Sequence, residues 1–582
     1  MMMMVLCRQG PLLSLLLCCM IAVHVQCAAT DHSSSDGIHS IESKQLVLQK
    51  VFEALKEHIP PRLEHDTTVS QKVDADNPPF HHHPRQLLDD CGAVLASYTR
   101  AQVRTLTSNT AAALLPADEF ALFQFAILPE IQYGLSVRKL CAACDEFDGL
   151  CPEDDEYGAN VTMSGLAFFP LQGSTLLPGT HIGSILCHGT QSSMLDAPSA
   201  QWIVNNEDDN DNLALANLDV HAAAAMFAGT RGSVVILPDY MGYMESANVV
   251  FRAYLIRRAY RTATLPLWYK AQQLMADESN CTSALANAAI VSGYSEGGYA
   301  AVAVAQALQD QNVDILHVFA GGAPLRLGSA QLLFSLQQLR TDTFLTERRY
   351  YLALLGAAFS STYPHVANYA QDQDWLEASV RDTVVNAVHS GGGRNEINAV
   401  MDADNLLASI DPIFIQILVD LMDNDPTLTN PCAPENVVPN VTDAICQALA
   451  DQDLATLLET NATYPVTLCH SLQDTLVAPS NRPNATLNPD HITLVEIDGS
   501  HSTAGVTCIV DVIQWYVLSA EWDDFVIEDL HTTSSRGCVV NSGPTSAPPN
   551  GDDDDDDDSS SISIAPTISA MMTVLLAWIS LY

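Results

Sequence analysis

Short apolar runs alternate with Ala-rich helical stretches between residues 160 and 320. These runs predict five strands: Val161–Phe169, His181–Cys187, Val234–Pro238, Ala288–Ser292 and Ile315–Ala320. Strands that alternate with helices are typical of βαβ units, which build a mostly parallel sheet flanked by helices. Two later apolar runs, from Tyr464 and from Val495, each lead into a polar loop and predict two further strands. The pattern therefore predicts an α/β fold.

Residues 328–455 show a helical pattern without a convincing strand. We expect them to form a helical cap, inserted into a core that comprises residues 91–327 and 456–538. Within the cap, Ile410–Met422 is apolar nearly all round, and we interpret it as a buried cap helix in preference to a lipid-facing lid. Residues 29–90 are mostly polar and are expected to form an N-terminal arm or a pro-segment.

Residues 1–28 predict a secretory signal peptide. Arg8 precedes the apolar run Leu12–Val25, and small residues follow, so we expect cleavage after Cys27 or Ala29. A signal anchor is the alternative, and the short apolar region argues against it.

The C-terminal end predicts a GPI-attachment signal. Residues 539–559 form an acidic spacer with seven consecutive aspartates, and residues 560–582 end in the apolar run Met571–Tyr582. Small residues, a spacer and a short apolar tail are the pattern of such a signal, so attachment is expected at Ser559 or Asp558. The aspartate run is interpreted as an extended spacer in preference to a calcium or cationic-polymer site. The expected location is the outer face of the plasma membrane, through the GPI anchor, or the extracellular medium.

Composition limits the partners. The formal net charge is −44, with 69 acidic against 25 basic side chains, which argues against binding to nucleic acid or anionic membrane surfaces. No pattern predicts a cofactor or a metal site, because Cys141-x-x-Cys144 has no second pair or histidine at ligand spacing. The oligomeric state stays open. Five sequons predict N-glycosylation, at Asn160, Asn280, Asn440, Asn461 and Asn484.

The cysteines predict disulfides. Four of the 15 cysteines lie in the predicted signal peptide, which leaves 11. In a secreted protein most of these should pair, and the odd number leaves at least one free. Cys187 and Cys469 both lie in predicted buried strands, and either could be the free thiol.

The most informative motif is Gly293-Tyr294-Ser295-Glu296-Gly297. An apolar run leads into it and a small-residue helical run, Gly298–Leu308, leads out. This is the strand, sharp turn and helix of a G-x-S-x-G nucleophile elbow, in which the residues two before and two after the serine must be tiny. The helix N-terminus beneath the serine favours developing negative charge. The alternative is a glycine-rich turn that happens to hold a serine.

Two later residues offer partners for Ser295. Asp474 and His501 each follow a predicted strand, in the chain order serine, acid, histidine that α/β-hydrolases use. Because the carboxyl ends of parallel strands meet at one edge of a sheet, we expect the three side chains to lie together. Taken singly, Asp474 is a common turn acid and His501 a common loop histidine. Together with Ser295 they predict a catalytic triad.

An upstream loop predicts an oxyanion hole. The strand that ends at Cys187 leads into His188-Gly189-Thr190. We expect one amide of the hole from Glu296 and another from Gly189 or Thr190, since a glycine lets the backbone approach a substrate oxygen. The alternative is that His188 only caps the end of the strand.

Five short segments carry a family resemblance: His188-Gly-Thr, Ala197-Pro-Ser, Val235-Ile-Leu-Pro-Asp-Tyr240-Met-Gly242, the elbow with Gly298, and Ala320-Gly-Gly-Ala-Pro324. In these segments the chain resembles the secretory lipase-like α/β-hydrolases, over residues 160–330 and less closely over 460–515. The resemblance implies an α/β-hydrolase fold with a cap insertion and a secreted serine esterase or lipase. One departure is Met244, where the family usually has glycine.

We therefore predict a serine hydrolase that cleaves carboxylic esters, a lipase or a carboxylesterase, through an acyl-enzyme. Its substrate would be an ester or a lipid. One alternative is a serine peptidase on the same fold, for which the sequence shows no site for a peptide amine. The other is a non-catalytic surface adhesion protein, which an intact triad disfavours.

Overall fold

The protein is described here by a computed structural model. It describes residues 91–518 except for residues 106–107, 109–130, 148–149, 151–159, 191–196, 201, 203–219, 248, 341–346, 368–375, 391–392, 402–408 and 440–441. The chain divides into two compact units, and the second, Asp76–Leu106 with Gln132–Gly543, contains all the elements discussed below. The predicted signal peptide, N-terminal arm, acidic spacer and GPI signal lie outside the described residues and stay predictions.

A single mixed sheet forms the centre of this unit. Its strands are β1 (Val94–Tyr98), β2 (Gly134–Ala142), β3 (Met163–Gln172), β4 (Thr175–Leu176), β5 (Gly179–Cys187), β6 (Val234–Pro238), β7 (Ser283–Tyr294), β8 (Asp314–Gly321), β9 (Val466–Ser471) and β10 (Ile492–Ile497). The order is β1-β2-β3-β6-β5-β7-β8-β9-β10, with β4 beside β3. Neighbours from β6 to β10 pair in parallel, whereas β1 to β4 pair antiparallel with each other and β3 pairs antiparallel with β6. The predicted mostly parallel α/β sheet is confirmed.

Helices cover the sheet and fill the long insertion before β9. The described helices are α1 (Val220–Arg231), α2 (Arg257–Ser279), α3 (Glu296–Asp310), α4 (Leu332–Arg340), α5 (Glu347–Ala367), α6 (Ala378–His389), α7 (Arg394–Val400), α8 (Pro412–Asn424), α9 (Asp443–Asp451), α10 (Ala455–Asn461) and α11 (His501–Leu518). Helix α3 packs on β7 and β8 through small side chains, which allow a close approach. Within the described residues, no helix combines the length and the apolar character needed to cross a bilayer.

Helix α8 shows how the predicted cap buries its most apolar segment. Leu418 and Met422 are buried, as is Ile410 just before the helix, whereas Ile413 is 61% exposed. The segment is therefore buried along one face, which fits the buried-helix interpretation for that face only. The bounds of the cap stay a prediction.

Strand β2 is fully buried although it contains two cations. The Lys139 ammonium forms an ion pair with the Glu245 carboxylate, and their side chains are 0% and 1% exposed. Arg138 pairs with Glu278 of α2 through both carboxylate oxygens. A buried charge is tolerated only when it is paired and hydrogen-bonded, and both cations meet that condition.

The loop after β6 contains two left-handed backbone positions, and one of them is not a glycine. Met244, the departure from the family pattern noted above, has a φ of 46°, and Gly242 has a φ of 88°. Only glycine adopts such angles without strain, so Met244 costs on the order of 1 kcal/mol of stability. The turn forms nonetheless, because the Ser246 hydroxyl closes it by accepting from the Gly242 amide at 2.9 Å and donating to the Tyr243 carbonyl at 2.8 Å.

Asp239 at the end of β6 anchors two other segments. Its carboxylate accepts hydrogen bonds from the Ser164 hydroxyl at 2.7 Å and from the Ser199 amide at 2.8 Å. Complete burial nevertheless raises the pKa of Asp239 to about 6, since the two donors only partly replace the lost water.

Replacing Asp239 with asparagine is expected to remove part of the pH dependence of stability. The folded-state pKa of about 6 lies above the ordinary value of 3.8. Protonated Asp239 therefore makes its full contribution to stability below pH 3.8, and this contribution is lost as the pH rises through about 6. The loss in wild type amounts to about 3 kcal/mol. Urea unfolding at several pH values between 4 and 7 checks this, and an equal pH slope in both proteins would contradict it.

Candidate active site

Ser295 occupies a sharp turn between β7 and α3. Its backbone has φ 58° and ψ −121°, a conformation that a residue with a side chain adopts only under strain. The Ser295 amide donates to the Gly321 carbonyl at 2.8 Å, and its carbonyl accepts from the Tyr299 amide at 3.1 Å. These two bonds tie the turn to β8 on one side and to α3 on the other. Such strain is typical of residues held for function.

The glycines two residues before and two residues after Ser295 are required by sterics. A Cβ on Gly293 would lie 2.2 Å from the Gly297 carbonyl oxygen. One on Gly297 would lie 2.2 Å from the Cys187 carbonyl oxygen. Both contacts are with backbone that has no room to shift, so the predicted need for tiny residues has a direct physical basis here.

His501 connects the serine to the acid. It is the first residue of α11, and its Nε2 lies 2.9 Å from the Ser295 hydroxyl oxygen. Its Nδ1 lies 2.6 Å from Oδ2 of Asp474. Because an ionised carboxylate can only accept, Nδ1 carries the hydrogen. Nε2 is then left with a lone pair that faces the serine hydroxyl.

The Asp474 carboxylate is fixed from both sides. Its side chain is 0% exposed. Its Oδ1 accepts hydrogen bonds from the amides of Leu476 and Val477, both at 2.8 Å. Burial alone would raise the pKa of Asp474, but the hydrogen bond from His501 and the two amides outweigh it and hold the pKa below the usual 3.8. The group is therefore a carboxylate at neutral pH.

The loops that carry Asp474 and His501 are joined to each other. They follow β9 and β10, which are parallel neighbours. The Ser471 hydroxyl donates to the Gly499 carbonyl, and a disulfide joins Cys469 of β9 to Cys508 of α11. Of the two candidates for a free thiol, Cys469 is thus paired, and Cys187 is free and buried.

Loss of this disulfide is expected to lower activity as well as stability. Replacing Cys469 and Cys508 with alanine opens a link across 39 residues and should lower the free energy of unfolding by about 2–4 kcal/mol. Because the link positions the helix that begins at His501, we also expect kcat to fall about tenfold.

The matched control is the Cys432–Cys446 pair, which spans 14 residues far along the chain from His501. Its removal should lower stability by a similar amount without changing kcat. Urea unfolding and ester kinetics on both double variants make the comparison, and an equal kcat for the two would contradict the expectation.

Tyr294 also holds the histidine loop, and sequence reasoning missed it. Its hydroxyl donates to the His501 carbonyl at 2.5 Å, and its ring centroid lies 5.0 Å from that of His501. The ring fits against Gly321, Gly322 and Gly505, where any Cβ would come within 2.7 Å of it. These glycines come from separate elements, so only the folded chain shows that they form one slot.

The predicted oxyanion loop lies beside the elbow. Cys187 at the end of β5 pairs with Gly293 of β7. A Cβ on Gly189 would lie 3.8 Å from the Tyr294 carbonyl oxygen, and Glu296 is the first residue of α3. The Thr190 hydroxyl lies 3.5 Å from that of Tyr254. Gly189 and Glu296 are thus brought to the same turn as Ser295.

His188 supports this loop from below. Its ring stacks on Tyr240 with centroids 4.0 Å apart, and its carbonyl accepts from the Tyr240 hydroxyl at 3.0 Å. Burial lowers the pKa of His188 to about 3, so the ring is neutral. His188 therefore has a packing role in the loop in addition to ending the strand.

The Glu296 side chain is part of a buried polar cluster, which the sequence did not indicate. Its carboxylate accepts from the Tyr260 hydroxyl at 2.8 Å and from the Arg252 guanidinium at 3.2 Å. Arg252 donates in turn to the hydroxyl of Tyr350, a residue of α5 in the predicted cap, at 2.9 Å.

Other predicted sites have the following places. Asn160, Asn280, Asn461 and Asn484 are exposed, as a glycosylated residue must be, and Asn440 lies outside the described residues, as do Ser559 and Asp558.

One group of possible metal ligands lies close together in the described part of the chain, namely Cys91, Cys141 and Glu245. The two cysteines form a disulfide, so this group offers one carboxylate.

The structure also contains a cavity of about 420 Å³ that Ser295 does not line. Its lining comes from the start of the predicted cap, from the segment before α9, and from α9, α10 and the link between them, and includes Ser329, Asn430, Asp453 and Asn461. Neither the Ser295 hydroxyl nor a predicted oxyanion amide lines it, so it is not the reaction site proposed below.

No protein-family model matches the chain, and no curated protein matches its sequence. Several solved structures have a similar fold. A candidate hydrolase of Legionella pneumophila is 15% identical with a TM-score of 0.51, over 75% of this chain and 98% of that one. The rice cell wall degrading esterase LipA of Xanthomonas oryzae is 16% identical with a TM-score of 0.47, over 75% and 97%. Lipase A of Candida antarctica in its closed state is 14% identical with a TM-score of 0.42, over 78% and 87%. At such identities the similarity concerns the fold alone. The mixed sheet, the flanking helices and the similarity to the candidate hydrolase of Legionella pneumophila together show that the chain has an α/β-hydrolase fold.

Proposed function

We propose that the protein is a serine hydrolase that cleaves carboxylic esters, with Ser295, His501 and Asp474 as its catalytic triad. The observation that carries this proposal is the unbroken chain of hydrogen bonds from the Ser295 hydroxyl through His501 to the Asp474 carboxylate, at 2.9 and 2.6 Å. The strained turn beneath the serine, on an α/β-hydrolase fold, supports the same function.

The geometry supports a two-step acyl transfer. Nε2 of His501 takes the proton of Ser295 as the hydroxyl oxygen attacks the ester carbonyl, and a tetrahedral intermediate forms. The carbon–oxygen bond to the alcohol then breaks, and His501 gives its proton to the leaving alkoxide. Water, activated by the same nitrogen, attacks the acyl-enzyme and releases the carboxylic acid. Asp474 stabilises the imidazolium in both steps without taking the proton.

Backbone amides would hold the negative charge of the intermediate. The Glu296 amide lies at the N-terminus of α3, where the helix dipole favours an anion. An amide of Gly189 or Thr190 would supply the second donor from the loop after β5. This assignment rests on the approach of Gly189 to the Tyr294 carbonyl.

The sequence supports a narrower proposal within the serine hydrolases. We propose a secreted or GPI-anchored lipase or carboxylesterase of the secretory lipase-like family, with an ester or lipid as substrate. Release of the protein from cells by phosphatidylinositol-specific phospholipase C would support the anchor, and unaltered retention would argue against it.

Two other functions remain as alternatives. A serine peptidase would use the same three residues, and no described residue stands out as a site for a peptide amine. A non-catalytic adhesion protein would not need the hydrogen-bonded triad or the strain at Ser295. The described geometry therefore favours a serine hydrolase over an adhesion protein, and the choice of esters over peptides follows the family resemblance of the sequence.

Labelling of the purified full-length protein with a fluorophosphonate probe tests the proposal. We expect one probe per chain, mapped by peptide mass spectrometry to Ser295, and hydrolysis of p-nitrophenyl esters. An optimum at long acyl chains would indicate a lipase, and one at short chains a carboxylesterase. A folded sample that neither labels nor hydrolyses esters would overturn the proposal in favour of a binding protein on this fold.

A further inference from the structure

The residue after the proposed nucleophile carries a buried negative charge. Glu296 is 2% exposed. Its amide is one proposed donor to the oxyanion, so its own carboxylate is buried close to the place where a second negative charge would develop. In a buried region with little water, two like charges oppose each other more strongly than they would in water. The protein must therefore balance Glu296 for the proposed reaction to proceed.

Arg252 is placed to supply that balance. Its guanidinium is 3.2 Å from the Glu296 carboxylate, and the side chain is 5% exposed. Among the described residues no other cationic group lies within 4.0 Å of this carboxylate. The remaining titratable groups that face Glu296 are Tyr240, Tyr254 and Tyr260, and burial raises the pKa of each far above the ordinary range, so they stay neutral.

The surroundings hold Arg252 in one position. The guanidinium lies 5.0 Å from the ring centroid of Tyr243 and 5.5 Å from that of Tyr254, which is cation–π distance. A Cβ on Gly242 would come within 2.4 Å of the Arg252 amide nitrogen, so the turn lets the two backbone segments meet. The Arg252 guanidinium also donates to the hydroxyl of Tyr350 of α5 and lies near the neutral ring of His188.

We propose that Arg252 is a positioning residue of the active site: it neutralises the Glu296 carboxylate beside the oxyanion hole, and the cap holds it there through Tyr350. The seating of α5 on the core would then set the rate of acyl transfer, because a shift of Tyr350 would move the guanidinium away from Glu296. This inference rests on the proposed function.

The test compares charge variants of the full-length enzyme. Arg252→Met is expected to lower kcat 10–100-fold with KM within about twofold, since the oxyanion is absent from the bound substrate and develops on the way to the tetrahedral intermediate. Adding Glu296→Gln to Arg252→Met should recover at least tenfold of that loss, because the pair is again neutral.

The cap contact is tested by Tyr350→Phe, which keeps the ring and removes the hydroxyl. We expect kcat to fall about two- to fivefold. The matched control is Tyr351→Phe, the next residue, whose hydroxyl accepts from Arg394 at 3.2 Å within the predicted cap. This control should keep the wild-type kcat. The Tyr350 variant keeps the test decisive if Arg252→Met does not fold.

The outcomes separate the two proposals. A wild-type protein without ester hydrolysis or fluorophosphonate labelling would overturn the proposed function itself. An active wild type would leave that function standing. If Arg252→Met then folds and keeps its kcat, if its loss is not rescued by Glu296→Gln, or if Tyr350→Phe matches Tyr351→Phe, the role of Arg252 is wrong.

Discussion

Replacing Ser295 with alanine is expected to lower kcat for ester hydrolysis by about a million-fold. The variant loses the only atom that can form the acyl-enzyme in the proposed mechanism, and neither His501 nor Asp474 can substitute for it. Labelling by a fluorophosphonate should vanish with the activity. The fold should be retained, because the one hydrogen-bond partner of the removed hydroxyl among the described residues is the ring nitrogen of His501.

The measurement is a progress curve for a p-nitrophenyl ester, at enzyme concentrations high enough to detect the residual rate. Ser97→Ala is a suitable control, since this serine is exposed on β1. It should keep the wild-type rate. A Ser295→Ala protein that retained even a hundredth of the activity would show that another nucleophile does the chemistry.

Replacing Asp474 with asparagine is expected to lower kcat by about 10⁴-fold with little change in KM. An amide NH₂ in place of Oδ2 would donate to Nδ1 of His501. The ring would then carry its hydrogen on Nε2, which could no longer accept the proton of Ser295. The other oxygen can still accept from the amides of Leu476 and Val477, so the loop should keep its shape.

Kinetics together with pH-dependent unfolding check this prediction. Because the pKa of Asp474 is lowered in the folded protein, its carboxylate stabilises the fold above the ordinary value of 3.8, and the contribution is lost as the pH falls through the lowered value. The advantage of wild type over Asp474→Asn in stability should therefore disappear in acid. Asp498→Asn, an exposed acid between β10 and His501, is the control. An active Asp474→Asn enzyme would contradict the proposed role.

The parts of the fold that the sequence predicted are those with local signals. Strand β6 matches its predicted range, and β5, β7 and β8 extend theirs by one to several residues. The elbow was predictable because its requirements fall within five consecutive residues. The order of Ser295, Asp474 and His501 was equally readable, since each follows a strand, and the parallel sheet then brings the strand ends together.

Strand β2 was missed because its burial depends on distant partners. Strand β2 contains Arg138 and Lys139, which make its sequence look like a surface segment. They are buried because Glu278 and Glu245 neutralise them, and these acids come from elements more than 100 residues away. A hydrophobic pattern carries no information about such pairing.

The supporting residues of the site were missed for a similar reason. Tyr294 and Glu296 are the two variable positions of the elbow motif, where the motif itself demands nothing. Their roles come from His501, 207 residues beyond Tyr294, and from Arg252, 44 residues before Glu296. The sequence could not decide which cysteine is free for the same reason, since only the folded chain brings Cys469 to Cys508.

The long insertion between β8 and β9 has a consequence for biosynthesis. The histidine lies 206 residues after the serine in the chain. A ribosome that adds about 5–20 residues per second needs roughly 10–40 s to travel from one to the other. During that interval the nascent chain has an elbow without a proton acceptor. A chain that carries the proposed triad therefore emerges with its serine well before the histidine that would activate it.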